Sequence, residues 1–176
     1  DECGNASFTT ATFTIEDTTA PAFTSVPADQ TNQCSEAAYS YDASDACGSV
    51  SYSESRNVIS EDACGNYVHE VTITATDECG NSTDHMFIIT VQDTQAPAFV
   101  EALPMDMTVE CDAVPATEVL TATDNCDPVN VEFTEVRTDG DCDQNYTLTR
   151  TWSATDCSGN STVHVQTIEV EDTTAP

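Results

Sequence analysis

The sequence alternates apolar and polar side chains through Tyr146-Thr147-Leu148-Thr149-Arg150-Thr151-Trp152. Because successive side chains of a β-strand point to opposite faces, this alternation predicts a strand with one buried face. Residues 129–133 and 163–165 alternate in the same way, and turn residues such as Asp139-Gly140 separate the stretches. Short strands divided by turns predict an all-β chain of small immunoglobulin-like β-sandwiches, with no helix.

Two phrases recur along the chain and divide it into tandem repeats. Asp17-Thr18-Thr19-Ala20-Pro21 returns as Asp93-Thr94-Gln95-Ala96-Pro97 after 76 residues and as Asp172-Thr173-Thr174-Ala175-Pro176 after a further 79. Asp1-Glu2-Cys3-Gly4-Asn5 returns as Asp77-Glu78-Cys79-Gly80-Asn81 with the same period. We predict the last strand of a preceding repeat at residues 1–17, repeat 1 at 18–96, and repeat 2 with the following linker at 97–176. The chain is then expected to be a slice of a longer array.

The charge of the chain excludes several classes of partner. Asp and Glu number 32 against 3 Lys and Arg, which gives a net charge of −29. Phosphate backbones and anionic membrane surfaces would repel such a chain, so no nucleic acid is expected as a partner. No apolar run approaches the length of about 20 residues that a bilayer crossing needs, so no membrane insertion is expected.

Nine cysteines indicate an oxidising compartment, extracellular or at the cell surface. None forms a C-x-x-C pair, so the spacing fits a disulfide framework better than a zinc site. Each repeat contains four cysteines, which leaves Cys3 to pair with a preceding repeat. The others are Cys34, Cys47, Cys64, Cys79, Cys111, Cys126, Cys142 and Cys157.

The direction of the predicted strands suggests a disulfide connectivity. If strands cross repeat 2 alternately, Cys111 and Cys142 fall at one end and Cys126 and Cys157 at the other. A pairing across a strand of about nine residues would span some 30 Å, whereas the Cα atoms of a disulfide lie within about 7 Å. The expected pairs are therefore Cys111–Cys142 and Cys126–Cys157, and by position Cys34–Cys64 and Cys47–Cys79.

Three stretches of repeat 2 resemble the hyalin repeat (HYR) family. They are residues 103–111, Ala122-Thr123-Asp124-Asn125-Cys126, and residues 146–156 followed by Gly159-Asn160. The chain has four cysteines per repeat and an Asp-Thr-Thr-Ala-Pro linker. In both features it resembles the long repetitive surface proteins of Bacteroidota, some of which are adhesins. The resemblance implies an extracellular immunoglobulin-like module used in adhesion or as a spacer, and it does not imply an enzyme.

Aspartates are expected to converge where the chain enters each repeat. The strand directions bring Asp124 and Asp156 beside the linker residue Asp93, and the equivalent set is Asp17, Asp45 and Asp77. Carboxylate oxygens at a domain junction are ligands that Ca²⁺ prefers, and the linker is similar to the calcium-binding junctions of cadherins. The alternative is that these residues keep the surface soluble and satisfy backbone groups in turns.

Several residues are candidates for covalent glycans. The N-x-[ST] acceptor pattern occurs at Asn5, Asn81, Asn145 and Asn160. Gly-Asn before a strand is also ordinary turn chemistry, so a structural role is the alternative. Thr18 and Thr173 lie in Asp-Thr-Thr phrases that resemble the O-linked attachment sites of Bacteroidota.

No catalytic constellation is evident. His69, His85 and His164 are expected at exposed strand positions, and Trp152 is expected in the core, so neither a nucleophile–base pair nor a sugar platform is indicated. We expect an extracellular structural and adhesive segment of a rod or filament. Its partners would be further copies or repeats, joined by β-edge pairing or by the continuing polypeptide, and a surface carbohydrate or protein ligand. The alternative is a carbohydrate-binding module, with or without calcium, whose loops around Asp124, Asp127 and Asp156 hold a sugar.

Overall fold

The computed structural model describes residues 2–141 and 143–174. These residues form twelve β-strands and no helix, which confirms the predicted all-β fold. The strands are β1 (Ala22–Ser25), β2 (Gln30–Gln33), β3 (Asp42–Ser44), β4 (Ser51–Glu61), β5 (Tyr67–Thr76), β6 (Ser82–Gln92), β7 (Ala98–Phe99), β8 (Met107–Glu110), β9 (Ala122–Thr123), β10 (Asn130–Asp139), β11 (Tyr146–Thr155) and β12 (Ser161–Glu171).

Each repeat contributes one four-stranded and one two-stranded sheet. The order is β2-β6-β5-β4 with β1-β3 in repeat 1, and β8-β12-β11-β10 with β7-β9 in repeat 2. The first strand of each large sheet pairs in parallel with the last, as Gln30 does with Ile89 and Met107 with Ile168. The two repeats therefore share one topology, as the recurring sequence predicted.

The alternation in β11 places one row of side chains in the core of repeat 2. Leu148, Trp152 and Ala154 are buried, and the Trp152 indole donates a hydrogen bond of 3.1 Å to the Glu118 carbonyl. Arg150 lies in the same buried row, where Glu135 accepts a hydrogen bond from its guanidinium at 2.7 Å. The core position expected for Trp152 is confirmed.

Contacts group the chain into two compact units that do not coincide with the sequence repeats. One unit comprises Asp1–Asp29, Ala38–Asn57 and Glu70–Ile88, and the other comprises Gln30–Ala37, Val58–His69 and Ile89–Pro176. The second unit thus contains repeat 2 together with the segments of repeat 1 that carry Cys34 and Cys64.

The strand predicted within residues 1–17 is not formed, since residues 5–21 have no strand structure. A strand needs a partner for its backbone hydrogen bonds, and this segment is paired with none of the described strands. Phe13 and Ile15 are 87% and 97% exposed, whereas their equivalents in repeat 1, Ile89 and Val91, are 0% and 2% exposed. The segment therefore has the alternating pattern of a core strand, but its apolar side chains are not covered by the described strands.

The described residues contain no helix with the length and apolar character needed to span a membrane.

Candidate functional site at the linker

The linker between the repeats starts with a turn built by Asp93. Its carboxylate accepts a hydrogen bond of 3.1 Å from the backbone N–H of Gln95. The same turn forms at the two equivalent linkers, from Thr19 to Asp17 and from Thr174 to Asp172, at 3.0 Å each. An aspartate that bonds the backbone two residues on fixes the local chain direction, which explains the recurrence of Asp at these positions.

Asparagine side chains from both repeats hold the backbone of Asp93. Its N–H donates to the Asn66 side-chain oxygen at 2.8 Å, and its carbonyl accepts a hydrogen bond from the Asn160 amide at 3.3 Å. At the other linkers, Asn81 donates to the Asp17 carbonyl at 3.1 Å, and Asp172 donates to Asn145 at 2.9 Å. These two hydrogen bonds hold the linker to Asn66 of repeat 1 and to Asn160 of repeat 2.

These contacts bear on the glycan candidates. The side chains of Asn81, Asn145 and Asn160 are half-buried and occupied at the linkers, which is the structural role weighed for them. Thr18 and Thr173 are exposed, and the Thr173 hydroxyl donates to Glu110. Glycosylation at Asn5, Asn81, Asn145, Asn160, Thr18 and Thr173 stays a prediction.

Two disulfides lie beside this linker and join cysteines of different repeats. Cys34 is bonded to Cys126 with a Cα–Cα distance of 5.0 Å, and Cys64 to Cys157 with a distance of 5.5 Å. The predicted pairs Cys34–Cys64 and Cys126–Cys157 are therefore wrong.

The other predicted pairs have different outcomes. Cys47 and Cys79 are free thiols, so the predicted Cys47–Cys79 bond is not formed. Cys142, the predicted partner of Cys111, lies outside the described residues, and Cys111 is a free thiol. The pairing of Cys3 with a preceding repeat stays a prediction.

The error in the connectivity has a simple physical cause. The expected directions of the strands in the large sheet are confirmed, since β8 runs parallel to β12, and β11 runs antiparallel to both β10 and β12. However, each expected pair lies within a single repeat, whereas both observed bonds join two repeats. The linker places the end of repeat 1 that carries Cys34 and Cys64 beside the end of repeat 2 that carries Cys126 and Cys157. Each of these cysteines therefore bonds to a cysteine of the other repeat and not to one of its own.

Two similar turns face each other at the Cys64–Cys157 bond. Asp62 accepts hydrogen bonds from Asn66, and Asp156 accepts them from Asn160, each through both the backbone and the side-chain nitrogen. The Asn66 amide also donates to the Ser158 hydroxyl at 3.0 Å. The role of Asn66 was missed, although residues 62–66 read Asp-Ala-Cys-Gly-Asn and so repeat the phrase at 77–81.

Two of the predicted calcium ligands come together in each set. Ligand atoms of Asp93, Asp124 and Cys126 lie within 4.8 Å of one another, and those of Asp17, Asp45 and Cys47 do the same. Asp93 is only 8% exposed, and one carboxylate oxygen each of Asp93 and Asp124 is buried without a hydrogen-bond partner. Buried, unpaired carboxylate oxygens are costly unless a cation or a proton neutralises them.

The donor chemistry at Asp93 and Asp124 fits a hard cation. Cys126 is bonded to Cys34 and offers no thiolate, so the two carboxylates are the charged ligands. At the equivalent site Cys47 is a free thiol, and the negative charge of Asp17, followed by burial and the charge of Asp45, raises the pKa of this thiol.

Asp77 and Asp156 do not join these clusters. In Asp77, one carboxylate oxygen accepts hydrogen bonds from the backbone of Cys79 and Asn81, and the other accepts one from the Asn81 amide. These bonds, the Asn81 amide first, lower the pKa of Asp77. Both aspartates have the turn-forming role that was weighed as the alternative to metal binding.

The histidines differ from the prediction of exposed positions. His85 and His164 are half-buried, and their rings contact the carbonyls of Pro27 and Pro104 at 2.8 Å. His69 is also half-buried, and it stacks on Tyr67 with ring centroids 4.2 Å apart. These rings pack as part of the sandwich because the aromatic neighbours cover them.

Repeat 2 matches a known family of domains. Residues 99–170 match the family model of the HYR-like domain with 4 cysteines. Domains of this kind are extracellular or cell-surface modules of the adhesion type and are typically non-enzymatic. No curated protein sequence matches the chain.

Solved cadherin structures show a distant likeness. Drosophila N-cadherin EC1-4 has 15% identity and a TM-score of 0.39, with 87% of this chain and 50% of that chain covered. Protocadherin gamma B7 domains 1-4 has 20% identity and a TM-score of 0.33, with 87% and 51% covered. Human mucin-like protocadherin EC1-2 has 12% identity and a TM-score of 0.29, with 82% and 95% covered. The chain spans about half the length of the first two cadherin chains.

Proposed function

We propose that the chain is a structural and adhesive segment of a rod or filament on or outside a bacterial cell. The observation that carries the proposal is the backbone of Asp93, which is bonded to Asn66 on one side and to Asn160 on the other. A linker held in this way, between two interrepeat disulfides, loses most of its conformational freedom. Extended spacers need such stiffness, because a flexible linker would let the repeats fold back on one another.

Small-angle X-ray scattering tests the stiffness of the rod. We expect the unmodified protein to give the asymmetric distance distribution of a rod, fitted by an ensemble whose radii of gyration span a narrow range. Replacement of residues 94–97 by Gly and Ser, together with Cys34→Ser, Cys64→Ser, Cys126→Ser and Cys157→Ser, should broaden it. A matched control has the four serines but the natural linker. If all three proteins scatter alike, the rod proposal is contradicted.

The adhesive part of the proposal concerns further copies or repeats of the same protein. Beads coated with the protein should cluster, and beads coated with an unrelated protein of similar net charge should not. At a net charge of −29, bare copies repel each other, so clustering should strengthen as salt or divalent cations are added. Beads that stay dispersed at every cation concentration would argue for a spacer without adhesion.

We further propose that Asp93 and Asp124 bind Ca²⁺, and that Asp17 and Asp45 form the equivalent site. The unpartnered, buried oxygens of Asp93 and Asp124 support this assignment. Isothermal titration should show Ca²⁺ binding that Asp93→Asn weakens by about tenfold or more, because one of two charged ligands is lost. Asp112→Asn is the control, since Asp112 is exposed and follows β8 at the opposite end of repeat 2. Equal binding by both variants would contradict the site.

The alternative of a carbohydrate-binding module has one observation in its favour. Residues 122–129 line a shallow hollow that contains Asp124 and Asp127, each with one buried oxygen that lacks a hydrogen-bond partner. No aromatic side chain is among these lining residues, and the carboxylate of Asp156 is already occupied by Asn160. Glycan-array binding that Asp127→Asn abolishes would favour this alternative over the rod.

A further inference from the structure

We propose that Cys47, Cys79 and Cys111 are cross-linking sites for neighbouring repeats, and that two disulfides join each pair of consecutive repeats in the array. The proposal deepens the proposed function, on which it rests, by naming the partner and the bonds. The partner is another repeat with four cysteines, and the bonds follow the pattern seen at the Asp93 linker.

The periodicity assigns every cysteine of the two repeats to one of four positions. The first to fourth positions are Cys34, Cys47, Cys64 and Cys79 in repeat 1, and Cys111, Cys126, Cys142 and Cys157 in repeat 2. Both observed bonds obey one rule, since the first position of one repeat joins the second position of the next, and the third joins the fourth. Under this rule Cys47 and Cys79 need a repeat before them, and Cys111 needs one after it.

The surroundings of Cys47 already match those of the bonded Cys126. The N–H of Cys47 donates to Asp45 at 2.8 Å, and the N–H of Cys126 donates to Asp124 at 2.9 Å. Each of these aspartates also lies beside the aspartate of its linker, Asp17 or Asp93. The local structure at Cys47 is therefore formed in the absence of a bond to its sulfur.

Cys79 and Cys111 show similar correspondences. Cys79 lies in the turn closed by Asp77 and Asn81, which is equivalent to the turn of Cys157. Glu110, which precedes Cys111, bonds Thr173 of the following linker just as Gln33, which precedes Cys34, bonds Thr94. Cys47 and Cys79 are exposed and Cys111 is half-exposed, so all three are accessible to a partner.

The segment before repeat 1 supports a repeat as the partner at Cys47 and Cys79. Phe13 and Ile15 are nearly fully exposed, although the equivalent side chains of repeat 1 lie in its core. Side chains with this strand pattern are covered when the rest of a sandwich packs on them. Such a sandwich would contribute a first and a third cysteine.

Each bond requires an oxidant, which we take to be a low-molecular-weight disulfide. A thiolate of one repeat attacks that disulfide, forms a mixed disulfide and releases one small thiolate. The partner cysteine then attacks the mixed disulfide, forms the interrepeat bond and releases the second small thiolate. The two small thiolates take up the two protons that the cysteines lost, so the oxidant gains two electrons and leaves as two thiols.

Disulfide mapping of the protein from its source cells tests the proposal. Free thiols are alkylated before lysis, and the protein is digested without reduction. We expect Cys47, Cys79 and Cys111 to be unalkylated and linked to peptides from other repeats at the first, third and second positions. Alkylation of these three residues, or a Cys47–Cys79 or Cys111–Cys142 link, would overturn the proposal.

Two further measurements make the result specific. Gel mobility without reductant separates the two sources of the partner, because a repeat of the same polypeptide leaves the mass unchanged and a second copy multiplies it. In the 176-residue protein, iodoacetamide should modify Cys47 and Cys111 at least about tenfold more than Cys34 and Cys126, since disulfides do not react. Equal modification of these four cysteines would show that the interrepeat disulfide pattern is absent. Neither result depends on whether the array is stiff or adhesive, so failure of the rod would be seen separately.

Discussion

Cys34 and Cys126 are separated by 92 residues in sequence, yet their Cα atoms lie 5.0 Å apart in a disulfide. Cys34 adopts a φ of 62°, in the left-handed region, which costs a non-glycine residue about 1 to 2 kcal/mol. The bond therefore joins two repeats through a residue whose backbone is itself held in an unfavourable conformation. The two repeats are thus joined by a disulfide as well as by the linker.

Removal of the Cys34–Cys126 bond should lower the free energy of unfolding by about 2 to 4 kcal/mol, because the unfolded chain loses a long closed loop. The double variant Cys34→Ser/Cys126→Ser leaves no odd thiol, and urea unfolding measures the change. Cys47→Ser is the control and should change the stability by less than about 0.5 kcal/mol, since Cys47 is exposed and unbonded. A double variant as stable as the control would refute the assigned role of the bond.

Calcium should reverse the sign of the change in melting temperature that Asp93→Asn causes. Without Ca²⁺ the substitution removes a buried, unpaired charge, so the variant should melt at the same temperature as the natural protein or higher. At a Ca²⁺ concentration about 100 times the dissociation constant, the natural protein should gain about 2.7 kcal/mol and the variant much less. Melting curves with chelator and with Ca²⁺ provide the test, and the absence of a crossover would count against the site.

Asn66→Ala should loosen the linker without unfolding either sandwich. The variant loses the 2.8 Å hydrogen bond from the N–H of Asp93, worth about 1 kcal/mol, together with the hydrogen bonds that the Asn66 amide donates to Asp62 and Ser158. Limited proteolysis should then cut residues 94–96 faster, while Asn57→Ala, at an exposed position of β4, should be cut at the natural rate. Cleavage that is equally slow in both variants would show that Asn66 does not hold the linker.

Asp77 should contribute a pH-dependent part of the stability. Hydrogen bonds, from the Asn81 amide above all, lower the pKa of Asp77 in the folded state. Its contribution is therefore present above the unfolded pKa of about 3.9 and is lost as the pH falls through the lower folded pKa. NMR titration of the carboxyl carbon should show this low pKa, and Asn81→Ala should raise it. A titration unchanged by Asn81→Ala would assign the shift to another cause.

Truncation of the core at Trp152 should cost about 3 to 5 kcal/mol. Trp152→Ala leaves a cavity and leaves the Glu118 carbonyl without the indole donor. Circular dichroism during urea unfolding measures the loss, because the substitution removes the tryptophan fluorescence. Val136→Ala, on the exposed face of β10, should change the stability by less than about 0.5 kcal/mol. A small effect at Trp152 would mean that the core of repeat 2 lies elsewhere.

The sequence alone was sufficient for the strands of the large sheet of repeat 2 and for the repeat, but not for residues 1–17, where the expected strand is not formed. Alternation such as that around Leu148 and Trp152 reports the two faces of a strand, because side-chain direction depends only on the local backbone. The recurring Asp-Thr-x-Ala-Pro phrase likewise marked each linker, since the turn of Asp93 needs only the residue two positions on. The convergence of Asp93 with Asp124 also followed from strand direction.

Only the tertiary structure decided which cysteines pair and which aspartates stay unpartnered. Cys34 and Cys64 lie at the same end of repeat 1, so strand direction alone does not tell whether they pair with each other or with cysteines of repeat 2. The choice depends on which ends the linker brings together. In the same way, Asp77 and Asp156 have the same residue type as Asp93, but their asparagine neighbours occupy their oxygens. Local patterns determine strands because the forces that form a strand face act over a few residues. The disulfides and the acidic site depend on distances between residues about 30 to 90 positions apart, which are fixed only when the chain has folded.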